Sequence, residues 1–209
     1  MTGKNLASID FTRASYALAA HRQDQWPPDA GAEVAFAGRS NVGKSSAINA
    51  ITNRNRLARA SKTPGRTRQI VFFDLDAAHR LVDLPGYGYA KVPDDLRRHW
   101  ERSTGDYLAR RACLKALVIP VDIRRPLTDL DRVMLRCCRE MGLPAHILLT
   151  KADKYKRGPA RDTLLRVCTQ LDGEAGVTVQ LFSAVNKQGV EQAREVVSGW
   201  LCGESSARC

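Results

Sequence analysis

The stretch Gly38-Arg39-Ser40-Asn41-Val42-Gly43-Lys44-Ser45 constrains this chain more than any other. It fits G-x-x-x-x-G-K-[ST], the phosphate-binding P-loop pattern. Glu33-Val34-Ala35-Phe36-Ala37 before it reads as a short buried strand, and Ser46-Ala47-Ile48-Asn49-Ala50-Ile51 after it as a helix start. Strand, glycine turn and helix N-terminus are the setting this motif requires. The glycines leave room for backbone N–H groups to curl around a phosphate. Lys44 reaches β and γ phosphates as a mobile point charge, and the Ser45 hydroxyl is placed to ligate Mg2+. With Gly at about 7% of residues, chance yields this pattern in roughly one chain of such length per hundred.

The 209 residues suffice for one large domain, and 44% hydrophobic with 26% charged content is ordinary for a soluble globular protein. The net charge of +11 is not ordinary, and it points to an anionic partner larger than one nucleotide. Of the six cysteines, none forms a C-x-x-C pair, which argues against zinc. Cys113, Cys137 and Cys168 read as small core residues, and the lack of a disulfide framework fits a reducing cytosol. Residues 1–10 lack a signal-peptide pattern and no apolar run reaches the length of a membrane span, so a cytoplasmic protein is expected.

Three regions are expected: an N-terminal segment, residues 1–31, packed on the main body through Phe11 and Tyr16; a domain over residues 32–202; and a frayed tail, 203–209. Residues 53–68 are polar and basic and read as a long, mobile loop. Strands over 70–75 and 80–84, a few residues apart, predict an antiparallel hairpin. Helices are predicted over 93–111, 128–140, 160–171 and 190–201, with Arg110 and Arg111 closing the first of these on its dipole. Strands are predicted over 117–121, 145–149 and 177–182. This alternation predicts an α/β fold in three layers: a mostly parallel six-stranded sheet with one antiparallel edge strand and helices on both faces.

The base is read from Thr150-Lys151-Ala152-Asp153 at the end of a predicted strand. A carboxylate there accepts from guanine N1–H and the N2 amino group, whereas adenine would leave it desolvated and unpaired. Lys151 can lay its alkyl stem on the base plane. An exposed loop would also tolerate K-x-D; the strand C-terminus, where open α/β sheets bind ligands, favours the base. Small residues in Phe182-Ser183-Ala184 let backbone N–H groups meet the base carbonyl. Asp83 ends an apolar strand, as a carboxylate holding Mg2+ through water would, and Gly86 can offer its N–H to the γ-phosphate. A Thr67 hydroxyl closing on Mg2+ only with the γ-phosphate present would make the basic loop a switch.

Together these stretches resemble the P-loop GTPase branch that groups TrmE, Era, EngA and EngB, and most narrowly the EngB (YihA/YsxC) family. The carrying residues are Glu33 to Ser46, Ser61-Lys62-Thr63-Pro64-Gly65-Arg66-Thr67, Leu81-Val82-Asp83-Leu84-Pro85-Gly86-Tyr87-Gly88-Tyr89-Ala90, Thr150 to Asp153 and Phe182 to Ala184, with Lys187-Gln188-Gly189 beyond. The resemblance implies a GTPase that binds GTP or GDP with Mg2+, assists assembly of the large ribosomal subunit on its rRNA and ribosomal proteins, and is needed for normal cell division and septation. Neither DNA nor a membrane span is implied, and a monomer is expected. Nucleotide contacts would come from Gly38, Arg39, Ser40, Asn41, Val42, Gly43, Lys44 and Ser45; from Gly65, Arg66, Thr67, Arg68 and Gln69; from Asp83, Leu84, Pro85 and Gly86; from Thr150, Lys151, Ala152 and Asp153; and from Phe182, Ser183 and Ala184. Metal ligands would be Ser45 and Thr67. Arg68 departs from the Gln expected there in relatives, and Thr150 stands in place of the Asn of the commonest guanine motif.

Ras-like GTPases orient the attacking water with a Gln directly after the D-x-x-G glycine. Here Tyr87 holds that position and cannot do the same, so slow hydrolysis is expected, with Tyr87 facing Asn41 across the γ-phosphate. Lys44, Asn41 and Thr67 are the candidate catalytic residues. Asn41 resembles the Asn of potassium-stimulated GTPases, whose side-chain oxygen helps hold K+; equally, Asn suits the backbone angles of such a loop. Two other readings stay open: a P-loop ATPase without a guanine pocket, and an RNA-binding module that uses nucleotide only to order its loops.

Overall fold

The computed structural model of the chain describes residues 9–58, 69–87 and 104–203. Seven strands form one sheet: β1 (Ser15–Ala20), β2 (Ala32–Phe36), β3 (Ile70–Asp74), β4 (His79–Asp83), β5 (Leu114–Asp122), β6 (Ala145–Thr150) and β7 (Val177–Leu181). Their spatial order is β1-β3-β4-β2-β5-β6-β7. The helices are α1 (Lys44–Thr52), α2 (helical over 104–110), α3 (Asp129–Glu140), α4 (Arg157–Gln170) and α5 (Val190–Leu201).

The α/β class and the β3–β4 antiparallel hairpin are as expected. The strand count is not. Ser15–Ala20, read as part of a packing segment, adds a seventh strand antiparallel to β3, so β3 is interior and β1 takes the edge. An Ala-rich strand with a register break between Tyr16 and Leu18 shows neither β-branched enrichment nor clean alternation.

β2 lies between β4 and β5, parallel to both, and every residue of it is buried. A strand covered on both faces reads as an unbroken apolar run, which is why Val34-Ala35-Phe36 is continuous rather than alternating. On one face α1 and α5 close the core with Ile48, Ile51, Val197 and Trp200; on the other α2, α3 and α4 supply Tyr107, Met134 and Val167. Full burial of each such isoleucine contributes roughly 2–3 kcal/mol.

Glu33 is the charged exception in β2, and its carboxylate is wholly buried. Arg111 donates to it from Nη2 at 2.6 Å and Nε at 2.9 Å, and the Tyr107 hydroxyl donates at 2.8 Å. Arg111 also donates to the carbonyls of Pro27 and Pro28. The sequence-based expectation for this arginine, a surface charge on a helix dipole, is therefore corrected. Its side chain is 3% exposed, while Arg110 is the exposed one and pairs with Asp106.

Strand register sets the site. Phe36 is level with both Asp83 and Val118, and Asp122 with Thr150. The C-terminal ends of β2, β4, β5, β6 and β7 thus meet along one edge, where open parallel sheets bind ligands. Because β3 runs the other way, Val71 is level with Asp83, and the start of β3 reaches the same edge.

Candidate nucleotide site

The loop leaving β2 turns into α1 through Asn41 (φ 65°) and Gly43 (φ 101°), both left-handed. Asn is among the few non-glycine residues that take such angles readily, which favours the backbone reading of Asn41. Gly38 lies against the Pro120 carbonyl, which a Cβ there would meet at 3.0 Å. The Lys44 ammonium contacts the Asp83 carboxylate, both largely shielded from solvent. Lys44, at the start of α1, and the β4 carboxylate therefore stand together, with Ser45 next in the same first turn. Hydroxyl and carboxylate oxygens are the donor types Mg2+ takes, so these residues fit that ion.

The stretch 150–153, expected to read the base, adjoins the loop through two side chains. The Thr150 hydroxyl, on a buried residue, reaches the Val42 carbonyl at 2.6 Å and the Val121 carbonyl at 3.1 Å. This residue thereby ties strand to phosphate loop, which explains how Thr serves at the position of the commoner Asn. Lys151 (φ 60°) donates from Nζ to the Asn41 carbonyl and to Asp122, each at 2.8 Å. Sequence reading missed Asp122. Hydrogen bonds from Arg124 first, and then from Lys151, hold its carboxyl well below the usual range, so it remains the anionic anchor that lays Lys151 across the loop.

Asp153 follows one turn on. The Ser183 hydroxyl donates to its Oδ1 at 2.6 Å, and that bond is the main cause lowering its pKa. Ala152 N–H donates to the Phe182 carbonyl, joining the two segments expected to meet the base. Phe182 and Ser183 are buried, so from Phe182 the backbone rather than the ring is offered to the site. Leu84 likewise packs in the core, and Pro85 is buried. Gly86 lies close against Ser40, whose Oγ a Cβ would meet at 2.9 Å.

Tyr87 corrects an expectation. Its backbone pairs with the phosphate loop, N–H to the Gly38 carbonyl at 3.3 Å and carbonyl to the Ser40 N–H at 2.9 Å. Its side chain is only 5% exposed and belongs to the core on the α3 face, so it does not face Asn41 across a phosphate. Burial, and then the Asp131 carboxylate, hold its phenol well above the ordinary value.

The basic loop is likewise less free at its start than expected. Asn49 of α1 pairs both backbone groups of Ala58, accepting at 2.8 Å and donating at 2.9 Å, and Ala58 is buried. Arg54 and Arg56 are exposed. Gln69, just before β3, pairs with the His21 ring at 2.8 Å. Gly65, Arg66, Thr67 and Arg68, and with them the expected second metal ligand, lie outside the described residues, as do Gly88 to Ala90 and most of the 93–111 helix. Cys168 is exposed rather than in the core, whereas Cys113 and Cys138 are buried. No helix among the described residues is long and apolar enough to cross a membrane.

The family model described as 50S ribosome-binding GTPase matches residues 33–151. The probable GTP-binding protein EngB of Stenotrophomonas maltophilia is 55% identical over 196 residues, covering 93% of this chain and 98% of the relative. Its counterpart in Xanthomonas campestris pv. campestris is 54% identical, covering 93% and 95%. Among solved structures, that of a probable GTP-binding protein EngB aligns with a TM-score of 0.63 at 24% identity, over 78% of this chain and 95% of the other. A variant of Aquifex aeolicus Era bound to GDP and aluminium tetrafluoride aligns with a TM-score of 0.66 at 16% identity, over 86% and 58%. These two share the fold. The chain belongs to the EngB family of GTP-binding proteins, within the P-loop GTPases.

Proposed function

We propose that this protein is a guanine-selective GTPase switch that acts in assembly of the large ribosomal subunit. The observation that carries the nucleotide part is the junction of Lys44 with Asp83 and of Lys151 with the Asn41 carbonyl, which brings phosphate and base elements onto one edge. Lys44 and the loop amides neutralise developing charge on the γ-phosphoryl group, and Asp153, kept ionised by Ser183, accepts from guanine. Bound Mg2+ would supply further neutralisation of the phosphate oxygens, held by Ser45 and Thr67. Gly86 offers its N–H toward the γ-phosphate.

Slow intrinsic hydrolysis follows from the placement of Tyr87: the side chain after Gly86 is buried in the core and cannot orient water. Stimulation would come from a partner or from K+ held by the Asn41 side chain. Equal GTP turnover in K+ and Na+ buffers would dismiss the K+ role.

The ribosomal part rests on the description of the matched family, the net charge of +11 and the exposed Arg54 and Arg56 at the start of the basic loop. Phosphate contacts of this kind weaken steeply with salt. The protein works as a cytoplasmic monomer, and division defects follow from failing ribosome supply. Two measurements test the reading. GDP, GTP and ATP affinities are compared with those of Asp153→Asn, which should lose guanine preference. GTP-state binding to large-subunit particles should fall as ionic strength rises; salt-insensitive binding would refute the RNA contact.

A further inference from the structure

His146 lies at the second position of β6, level with Thr178 of β7, and is 1% exposed. Its Nδ1 is 2.6 Å from the Thr178 hydroxyl, and its Nε2 is 2.8 Å from Oε1 of the buried Gln180. Gln180 in turn donates from Nε2 to the carbonyls of Gly189, at 2.7 Å, and Leu181, at 3.2 Å. Both of those carbonyls can only accept. The amide must therefore present its NH2 to them and its oxygen to the imidazole. That oxygen requires a proton on Nε2, which leaves Nδ1 of a neutral ring to accept from Thr178. Every contact then pairs a donor with an acceptor, in one direction, from Thr178 to Gly189.

Gly189 ends the loop that begins at Ser183. Its left-handed backbone (φ 74°) presses so closely on the strand that a Cβ would meet the Leu181 carbonyl at 2.2 Å and Gln180 Nε2 at 2.4 Å. The Ser183 N–H donates to the Gln188 carbonyl at 3.0 Å and closes the loop one residue before the Gln180 contact. The Ser183 hydroxyl is the donor on Asp153. Hydrogen bonds joined by the short Gln188–Gly189 backbone link thus lead from a buried histidine to the Asp153 carboxylate. Trp200 of α5 packs edge-on against the imidazole and covers it.

We propose that His146 and Gln180 are positioning residues for guanine selectivity. By donating to the Gln180 oxygen, His146 steadies the amide whose NH2 grips Gly189 and with it the 183–189 loop, and through Ser183 it sets the aim of Asp153. Without the Nε2–H, the buried Gln180 oxygen loses its donor, and only the two carbonyls hold the amide against Gly189. The inference rests on Asp153 reading guanine.

The test compares GDP with inosine diphosphate, which keeps the phosphates and N1–H but lacks the 2-amino group. His146→Phe should lower the GDP-over-IDP affinity ratio about fivefold to tenfold, as expected for one weakened hydrogen bond. His146→Gln, whose amide can still donate from near the Nε2 position, should stay within about twofold of the parent. Thr178→Val, at the half-buried far end of the chain of bonds, should lower the ratio about twofold to threefold, and it carries the test if His146→Phe does not fold. A role confined to core stability would lower the melting temperature and leave the ratio unchanged in folded His146→Phe or Thr178→Val, which would overturn the proposal. Asp153→Asn separates the two failures: if it too leaves the ratio unchanged, the guanine reading itself is wrong.

Discussion

Arg39, in the phosphate loop, donates its Nε–H to the carboxylate of Asp131, in the first turn of α3, at 3.3 Å. Asp131 is wholly buried there and also accepts from the Thr128 N–H and hydroxyl, forming the cap of that helix. The same carboxylate raises the pKa of Tyr87. One buried acid therefore serves the phosphate loop, the residue after Gly86 and the start of α3. Breaking a buried pair by removing one partner costs about 3–5 kcal/mol, so Asp131→Ala should shift the urea midpoint strongly, and Arg39→Ala, partly solvated, by less.

Tyr87→Phe separates structure from chemistry. With the ring in the core, loss of the hydroxyl should cost about 1 kcal/mol of stability and leave single-turnover GTP hydrolysis within about twofold. A tenfold fall in the hydrolysis step would place the hydroxyl at the γ-phosphate after all.

Thr150→Val keeps the shape and removes the hydroxyl that bridges Val42 and Val121. The carbonyls left behind cost about 1–3 kcal/mol, and the phosphate loop loses its tie to β6. GDP affinity, read by titration of a fluorescent analogue, should fall, while Thr150→Ser should recover most of it.

Glu33→Gln tests the buried cluster at the opposite end of β2. Arg111 would lose its buried carboxylate and keep only the more distant, partly exposed Asp29, a loss of up to about 3–5 kcal/mol in chemical denaturation. Tyr107→Phe, which removes one of several donors to the same group, should cost roughly 1 kcal/mol.

Asp29 predicts an acid limb. A hydrogen bond with the Cys113 thiol, and then the backbone N–H groups of Cys113 and Ala112, lower its pKa from 3.8 to about 2. A depressed carboxyl pKa stabilises the fold fully above about pH 4, and that contribution is lost as pH falls toward 2. The carboxylate is 39% exposed, so screening keeps the effect small. The stability gap between the parent and Asp29→Asn should narrow as pH drops from about 5 to 2; a gap constant over that window would discount the Asp29 contribution.

Most of the parallel sheet was legible because its elements carry local signals. The strand over 145–149 and the helix over 190–201 follow from apolar runs and period, and both form within a residue of expectation. β1 was not legible, since Ala19 and Ala20 acquire strand geometry only from the β3 edge beside them. Tyr87 was misplaced for a related reason. The motif gave its backbone position next to Gly86 but not the direction of its ring, which the space under α3 decides.

What the residues alone give is the chemistry expected of the site: a glycine turn suited to phosphate, a lysine and hydroxyl beside it, an acid at the end of β4 and another after β6. Those are properties of residue type at fixed local spacing. Which groups become partners is set by strand register and helix packing. Asp122, Asp131 and Gln180 are unremarkable in the chain, and each matters because strand register or helix packing brings a distant donor within about 3 Å of it. A hydrogen bond is that short-ranged, and only the assembled sheet fixes such distances.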